Sequence, residues 1–156
     1  MGEQSWTDHP RLRSWLQRQE SSFPTWTATH PGNWDFTPAS LDALESAVRA
    51  DFADWDAAWA ARDATSLTVP AWYLGEVCVR AGAVWKVNPA ADTDPDGPAV
   101  AIPDDPAESD SDRYEDEDYR PAVLPVAELR DLFLKPPDWR LHQVPAAFTE
   151  WYRAHS

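Results

Sequence analysis

The sequence is short of the residues that build most covalent, metal-based and phosphate-binding sites. Cys78 is the single cysteine in 156 residues, so no intrachain disulfide can form. Its setting in an apolar run suits a buried small hydrophobe better than a nucleophile. His9, His30, His142 and His155 show no HxxxH, HExxH or cysteine-paired spacing, which argues against zinc. Five glycines leave little material for a backbone cradle around phosphates, and no GxSxG, GxGxxG or Walker pattern occurs. No apolar run approaches the ~18 residues of a membrane span. The N-terminal residues lack the apolar h-region of a secretory signal. No cofactor, no membrane and a cytoplasmic location are the expectations. Lysine is scarce too: Lys86 and Lys135 stand beside eleven arginines.

What is abundant is negative charge. There are 27 acidic against 13 basic side chains, a formal net charge of −14 and a pI near 4.4. Between Ala91 and Asp118 lie twelve acids and one base, Arg113, a net of −11, while the other 128 residues carry −3. The balance argues against nonspecific binding to nucleic acid or an anionic membrane, both of which want a basic patch. A basic protein is the electrostatic alternative. The densest part holds Asp104, Asp105, Glu108, Asp110, Asp112, Glu115, Asp116, Glu117 and Asp118, with Tyr114 and Tyr119 beside them. Blocks of like charge usually stay solvated, so a loop over 103–119 that only aids solubility is one reading. The functional reading is an arm that docks on a basic surface, anchored by the two tyrosines.

Asp92-Thr93-Asp94-Pro95-Asp96-Gly97 matches the opening of a calcium-binding EF-hand loop. Counting from Asp92, position 12 should be a bidentate glutamate, and that residue is Pro103. Strands rather than helices are predicted on both sides. Asp92, Asp94 and Asp96 thus read as a turn between strands, with clustered-carboxylate calcium binding as the weak alternative.

The length suits a single domain over 1–156 with one core. Leu12, Trp15 and Leu16 predict a first helix, capped by Thr7 or Asp8, that ends by Ser21 or Ser22. An aromatic-pinned loop should follow over Phe23–Phe36. Thr37-Pro38 caps a helix whose stripe of Leu41, Leu44, Val48, Phe52, Trp55 and Trp59 runs to Arg62, with a bend near Asp51–Asp54. Ala71–Arg80 is apolar on nearly every side and reads as a central helix, stopped at Gly82. Gly75 inside it suggests close approach of another backbone. Val84–Val87 and Pro98–Ile102 are strands, with Ala122–Leu124 as a third. Helices then start at Pro125 and Pro145. The order predicts an α+β fold: helices on one side of a small two- to three-stranded antiparallel sheet, with an acidic loop insert.

Ten tryptophans invite two readings, core packing and interface anchoring. By elimination Glu76 is the one catalytic candidate: buried among Trp72, Tyr73 and Val77, a carboxyl there would suit a general acid. The i, i+4 spacing to Arg80 favours an ion pair instead. A small-molecule or enzymatic pocket lined by Trp72, Glu76 and Trp85 is the alternative to a protein-binding role. An accessory or scaffold subunit using the Trp55/Trp59 end of its helix is another.

Two stretches carry a resemblance. Trp34-Asp-Phe-Thr-Pro-Ala-Ser-Leu-Asp-Ala-Leu-Glu45 and Trp72-Tyr-Leu-Gly-Glu-Val-Cys-Val-Arg80, followed by Val84-Trp-Lys-Val87, resemble small uncharacterised actinobacterial proteins. Their pattern is a "WDF-P-SL-LE" helix start, then a "YLGE" helix leading into a tryptophan-containing strand. The resemblance spans about Trp34–Phe133 and implies a shared scaffold. Some such proteins are associated with toxin-immunity neighbourhoods. Taken with the acidic segment and the aromatic content, this points to a non-enzymatic immunity or antitoxin-like inhibitor, with a toxin as the candidate for the basic partner.

Overall fold

The computed structural model describes residues 7–87, 97–103, 121–134 and 140–154. The fold is α+β. Helix α1 spans Pro10–Ala28, α2 Leu41–Asp51, α3 Trp55–Ala60 and α4 Thr65–Arg80. Strands β1 (Val84–Lys86), β2 (Ala99–Ala101) and β3 (Ala122–Val123) follow, then α5 (Pro125–Leu134) and α6 (Ala146–Ala154). Short 3-10 turns at Pro38–Ser40 and Leu141–Gln143 precede α2 and α6.

Helix α1 starts as a proline at the first helical position would have it, but its cap is His9, whose Nδ1 accepts the Arg11 N–H at 3.0 Å. It also runs past Ser21 and Ser22 and through Pro24, beyond its expected end. Tertiary packing overrides the local breakers. Phe23 lies against Phe36, Trp72 and Tyr73 at ring separations of 5.6, 5.2 and 5.7 Å, and Trp26 is buried. Those contacts offset the ~3 kcal/mol that an internal proline costs a helix.

The long apolar stripe from Leu41 to Trp59 is divided between two helices. Phe52 is extended at φ −131°, ψ 130°, and Asp54 caps α3 by accepting the Ala57 N–H at 2.9 Å. The expected bend is thus a break, made where an aspartate offers a better N-cap than a helix interior. Thr37 and Pro38 do open the segment, with Thr37 Oγ1 accepting the Ser40 N–H.

Helix α4 is the hub, packed along α1 and contacted by α2, α5, β1 and β2. It begins at Thr65, ahead of Pro70, and buries every residue from Leu67 to Gly75 along with Val77 and Cys78. It ends at Arg80, and Gly82 then takes φ +112°, a left-handed conformation that favours glycine. The Gly82 carbonyl accepts the Tyr152 hydroxyl at 2.8 Å, which ties α6 to the end of α4.

The three strands form an antiparallel meander in the order β1-β2-β3, with Trp85 opposite Val100 and Ala101 opposite Ala122. Trp85 and Val100 are buried, and their neighbours in β1 and β2 are half-buried. One face therefore packs on the helices. Among the described residues no helix is long and apolar enough to cross a membrane.

Candidate functional site

Sheet topology divides the −11 stretch. The connection 88–96 joins β1 to β2, and 104–120 joins β2 to β3, so in an antiparallel meander the two leave from opposite ends of β2. The three acids Asp92, Asp94 and Asp96 belong to the first. The nine acids between Asp104 and Asp118, offset by Arg113, belong to the second. All of these side chains, with Tyr114 and Tyr119, lie outside the described residues. The described frame does fix both ends of the longer connection. Ala101 pairs with Ala122, and the Ile102 N–H donates to the Pro121 carbonyl at 3.4 Å. Among the described residues no group of three or more His, Cys, Asp or Glu side chains is placed to hold a metal ion.

Glu76 sits on α4 with its side chain 22% exposed. Its Oε2 accepts the Trp85 indole N–H at 2.8 Å, and Arg80 approaches Oε1 at 3.4 Å. The expected i, i+4 pair is present, and the tryptophan bond was not legible from spacing. Between Glu76 and Trp85 there is thus a hydrogen bond, with the indole ring of Trp85 laid over Gly75. Trp72 turns to other rings, Phe23 at 5.2 Å and Phe36 at 5.9 Å. The Arg80 guanidinium lies 4.1 Å over the Phe36 ring.

Two polar clusters brace this end of the molecule. Ser40 Oγ donates to the Thr37 carbonyl at 2.6 Å, which uses its one proton. The Tyr73 hydroxyl must then donate to Ser40 Oγ, also at 2.6 Å, while it accepts the Phe36 N–H at 2.8 Å. Burial pushes the Tyr73 phenol above its ordinary value. Phe36, held by that bond, has φ +62°, unusual for a bulky residue. The Thr37 hydroxyl, 2.6 Å from Asp35, holds that carboxyl below the usual range. In the second cluster His30 stacks on Trp26 at 4.1 Å, with Nδ1 2.7 Å from the Trp26 carbonyl and Nε2 2.8 Å from Asp51. It joins the end of α1 to the end of α2.

A pair of clefts meets at Val126, on α5. One, of about 100 Å³, is lined by Trp15, Arg18, Arg62, Asp63, Thr68, Gly97 and Val126. The other, of about 180 Å³, is lined by Trp55, Trp59, Val126, Ala127 and Arg130. Arg62 links them, its guanidinium 4.8 Å over the Trp59 ring. Arg18 donates to the Asp63 carbonyl at 2.7 Å and Arg62 to the Trp59 carbonyl at 2.9 Å. Both arginines are exposed, and among the described residues neither pairs with a carboxylate. Spacing along α1 sets Arg18 off the apolar stripe of Leu12, Trp15 and Leu16 and says no more. Convergence of residues 18 and 62 depends on how α1 and the α3–α4 turn pack, which no local spacing encodes. Trp55 and Trp59, expected to lie exposed in a scaffold role, are half-buried.

No family model, no curated protein and no solved structure matches this chain.

Proposed function

We propose that the protein is a non-enzymatic, cytoplasmic protein-binding protein, an immunity or antitoxin-like inhibitor whose acidic segment 104–118 docks on a basic partner. The observation that carries this reading is a dense run of charge whose two flanking residues are paired to each other. Nine acids against one arginine are strung between two hydrogen-bonded strand ends, Ile102 and Pro121. Tethering both ends lowers the conformational freedom that binding must remove, relative to a free tail of the same length. A dense negative charge steers association with a positive surface and suppresses association with a negative one. Tyr114 and Tyr119 supply the apolar contact that charge alone lacks. Such an arm works by occlusion: it covers a basic cleft that the partner needs for its own anionic substrate. The resemblance of the Trp34–Glu45 and Trp72–Arg80 stretches to proteins of which some are associated with toxin-immunity neighbourhoods supports the inhibitor class, while the arm itself rests on the charge.

The test begins with capture of the partner from the native host, followed by titration of the purified partner at low and high salt. The full chain and a chain lacking 104–118 are compared. The expected result is a loss of at least about tenfold in affinity on deletion, and a similar loss of wild-type affinity in high salt. Affinity that is unchanged by deletion and independent of salt overturns the mechanism.

A further inference from the structure

The clefts at Val126 lie at the sheet end from which the shorter acidic connection leaves, since Gly97 lines the first of them. They combine two kinds of wall. Arg18 and Arg62 supply positive charge, with Asp63 the carboxylate-bearing side chain at the same rim. Each guanidinium uses an N–H on a backbone carbonyl, which fixes its position and leaves most of its five donors for something else. Arg13, Arg80, Arg130 and Arg140 each meet a carboxylate, whereas the two arginines of this rim meet none among the described residues. Trp15, Trp55 and Trp59 supply flat apolar surface next to them.

We propose that this groove binds a small organic oxyanion carrying one planar ring, an aryl phosphate or an aromatic carboxylate. The guanidinium fork matches phosphate and carboxylate geometry, and a ring lies well against tryptophan. Size sets the class. The first cleft, about 100 Å³, takes one oxyanion group. The second, about 180 Å³, takes one ring, since a cavity of about 150 Å³ admits benzene. A dinucleotide or an oligosaccharide would be mostly outside. Arg62 joins the halves: it faces the oxyanion cleft and covers the Trp59 ring that faces the other. None of the residues that line it belongs to 104–118, and the proposal does not rest on the role proposed for that segment.

The probes are phenyl phosphate, phenylacetate, inorganic phosphate and benzyl alcohol, titrated into the full chain at low salt. Tryptophan fluorescence and calorimetry give the readout. At least one of the two aryl oxyanions should saturate at millimolar concentration or below, and which one does distinguishes phosphate from carboxylate. Inorganic phosphate and benzyl alcohol should each bind at least tenfold more weakly, because each reaches half of the groove. The Arg18→Gln/Arg62→Gln double variant should lose at least tenfold with an unchanged far-ultraviolet circular dichroism spectrum; both side chains are exposed, so folding should persist. Trp59→Leu should weaken the aryl ligands and leave inorganic phosphate unaffected. Failure of both aryl oxyanions to saturate overturns the proposal, as does equal binding by the folded double variant. Inorganic phosphate binding as tightly as phenyl phosphate removes the ring half.

Discussion

The indole of Trp85 occupies the space that a side chain on Gly75 would need: a Cβ there would stand 2.0 Å from Cη2 and 2.2 Å from Cζ2. Glycine inside α4 is therefore explained by a ring from β1, where the sequence suggested a second backbone. In an open helix Gly75→Ala would stabilise by about 1 kcal/mol. Here the clash displaces Trp85 from its bond to Glu76, and overpacking of this kind costs about 1–3 kcal/mol or more. The expected net effect is a loss of about 2 kcal/mol, read as a lower urea midpoint with an unchanged slope. In a Trp85→Leu background the same substitution should be nearly neutral or stabilising. A wild-type-like or raised midpoint for Gly75→Ala alone would contradict the packing.

Tyr73→Phe tests the strained loop. The substitution keeps the ring, which stacks on Phe36 at 4.6 Å, and removes the hydroxyl that both Ser40 and the Phe36 amide use. Leaving a half-buried amide without its partner and the buried Ser40 oxygen short of one costs about 1–3 kcal/mol. Amide exchange at Phe36 should quicken before global unfolding, since that bond helps hold its positive φ. Unchanged stability and unchanged Phe36 protection would show that the hydroxyl does not hold the loop.

Glu45 is the buried anchor of the C-terminal segment. Its carboxylate, 8% exposed, accepts Arg140 Nε at 3.0 Å and the buried Leu141 N–H at 2.8 Å. The same interactions raise the Arg140 guanidinium further above its ordinary value. Asp42, 51% exposed, also meets Arg140 and His142. Glu45→Ala is expected to cost about 2 kcal/mol or more, because it strands the Leu141 amide. Glu45→Gln should cost less, since it retains one acceptor, and Asp42→Ala should cost little, as exposed pairs generally do. Chemical denaturation of the three variants checks the order; Asp42→Ala as the most damaging would refute it.

These cases show where the sequence was legible. Elements announced by their own residues were found near their expected places. They include the Thr37-Pro38 start, the Leu41–Val48 stripe, the Trp85/Val100 strand pair and the Pro125 start of α5. What was not legible depends on distant partners. The passage of α1 through Pro24 rests on rings from residues 36, 72 and 73. Glu45 and Arg140 are 95 positions apart. The Arg18/Arg62 convergence follows from helix packing. Glu76 falls between these cases: its Arg80 pair follows from helical spacing, and its Trp85 bond from the turn at Gly82.

Cys78 links burial to alkaline stability. It is wholly buried on α4, and desolvation pushes its thiol from 9.0 up to about 12. A raised thiol value means the folded state holds its proton where the unfolded chain releases it. The contribution is complete below about pH 9 and is lost as pH rises from there toward 12. Wild type should therefore lose stability relative to Cys78→Ala by about 1.4 kcal/mol per pH unit through that window. Denaturation midpoints of both proteins at pH 8 and pH 10.5 measure the difference, and the tyrosines common to both cancel. The same burial makes the native thiol inert. Ellman's reagent at pH 8 should label it only at the rate of unfolding, and immediate labelling would place Cys78 at an accessible surface.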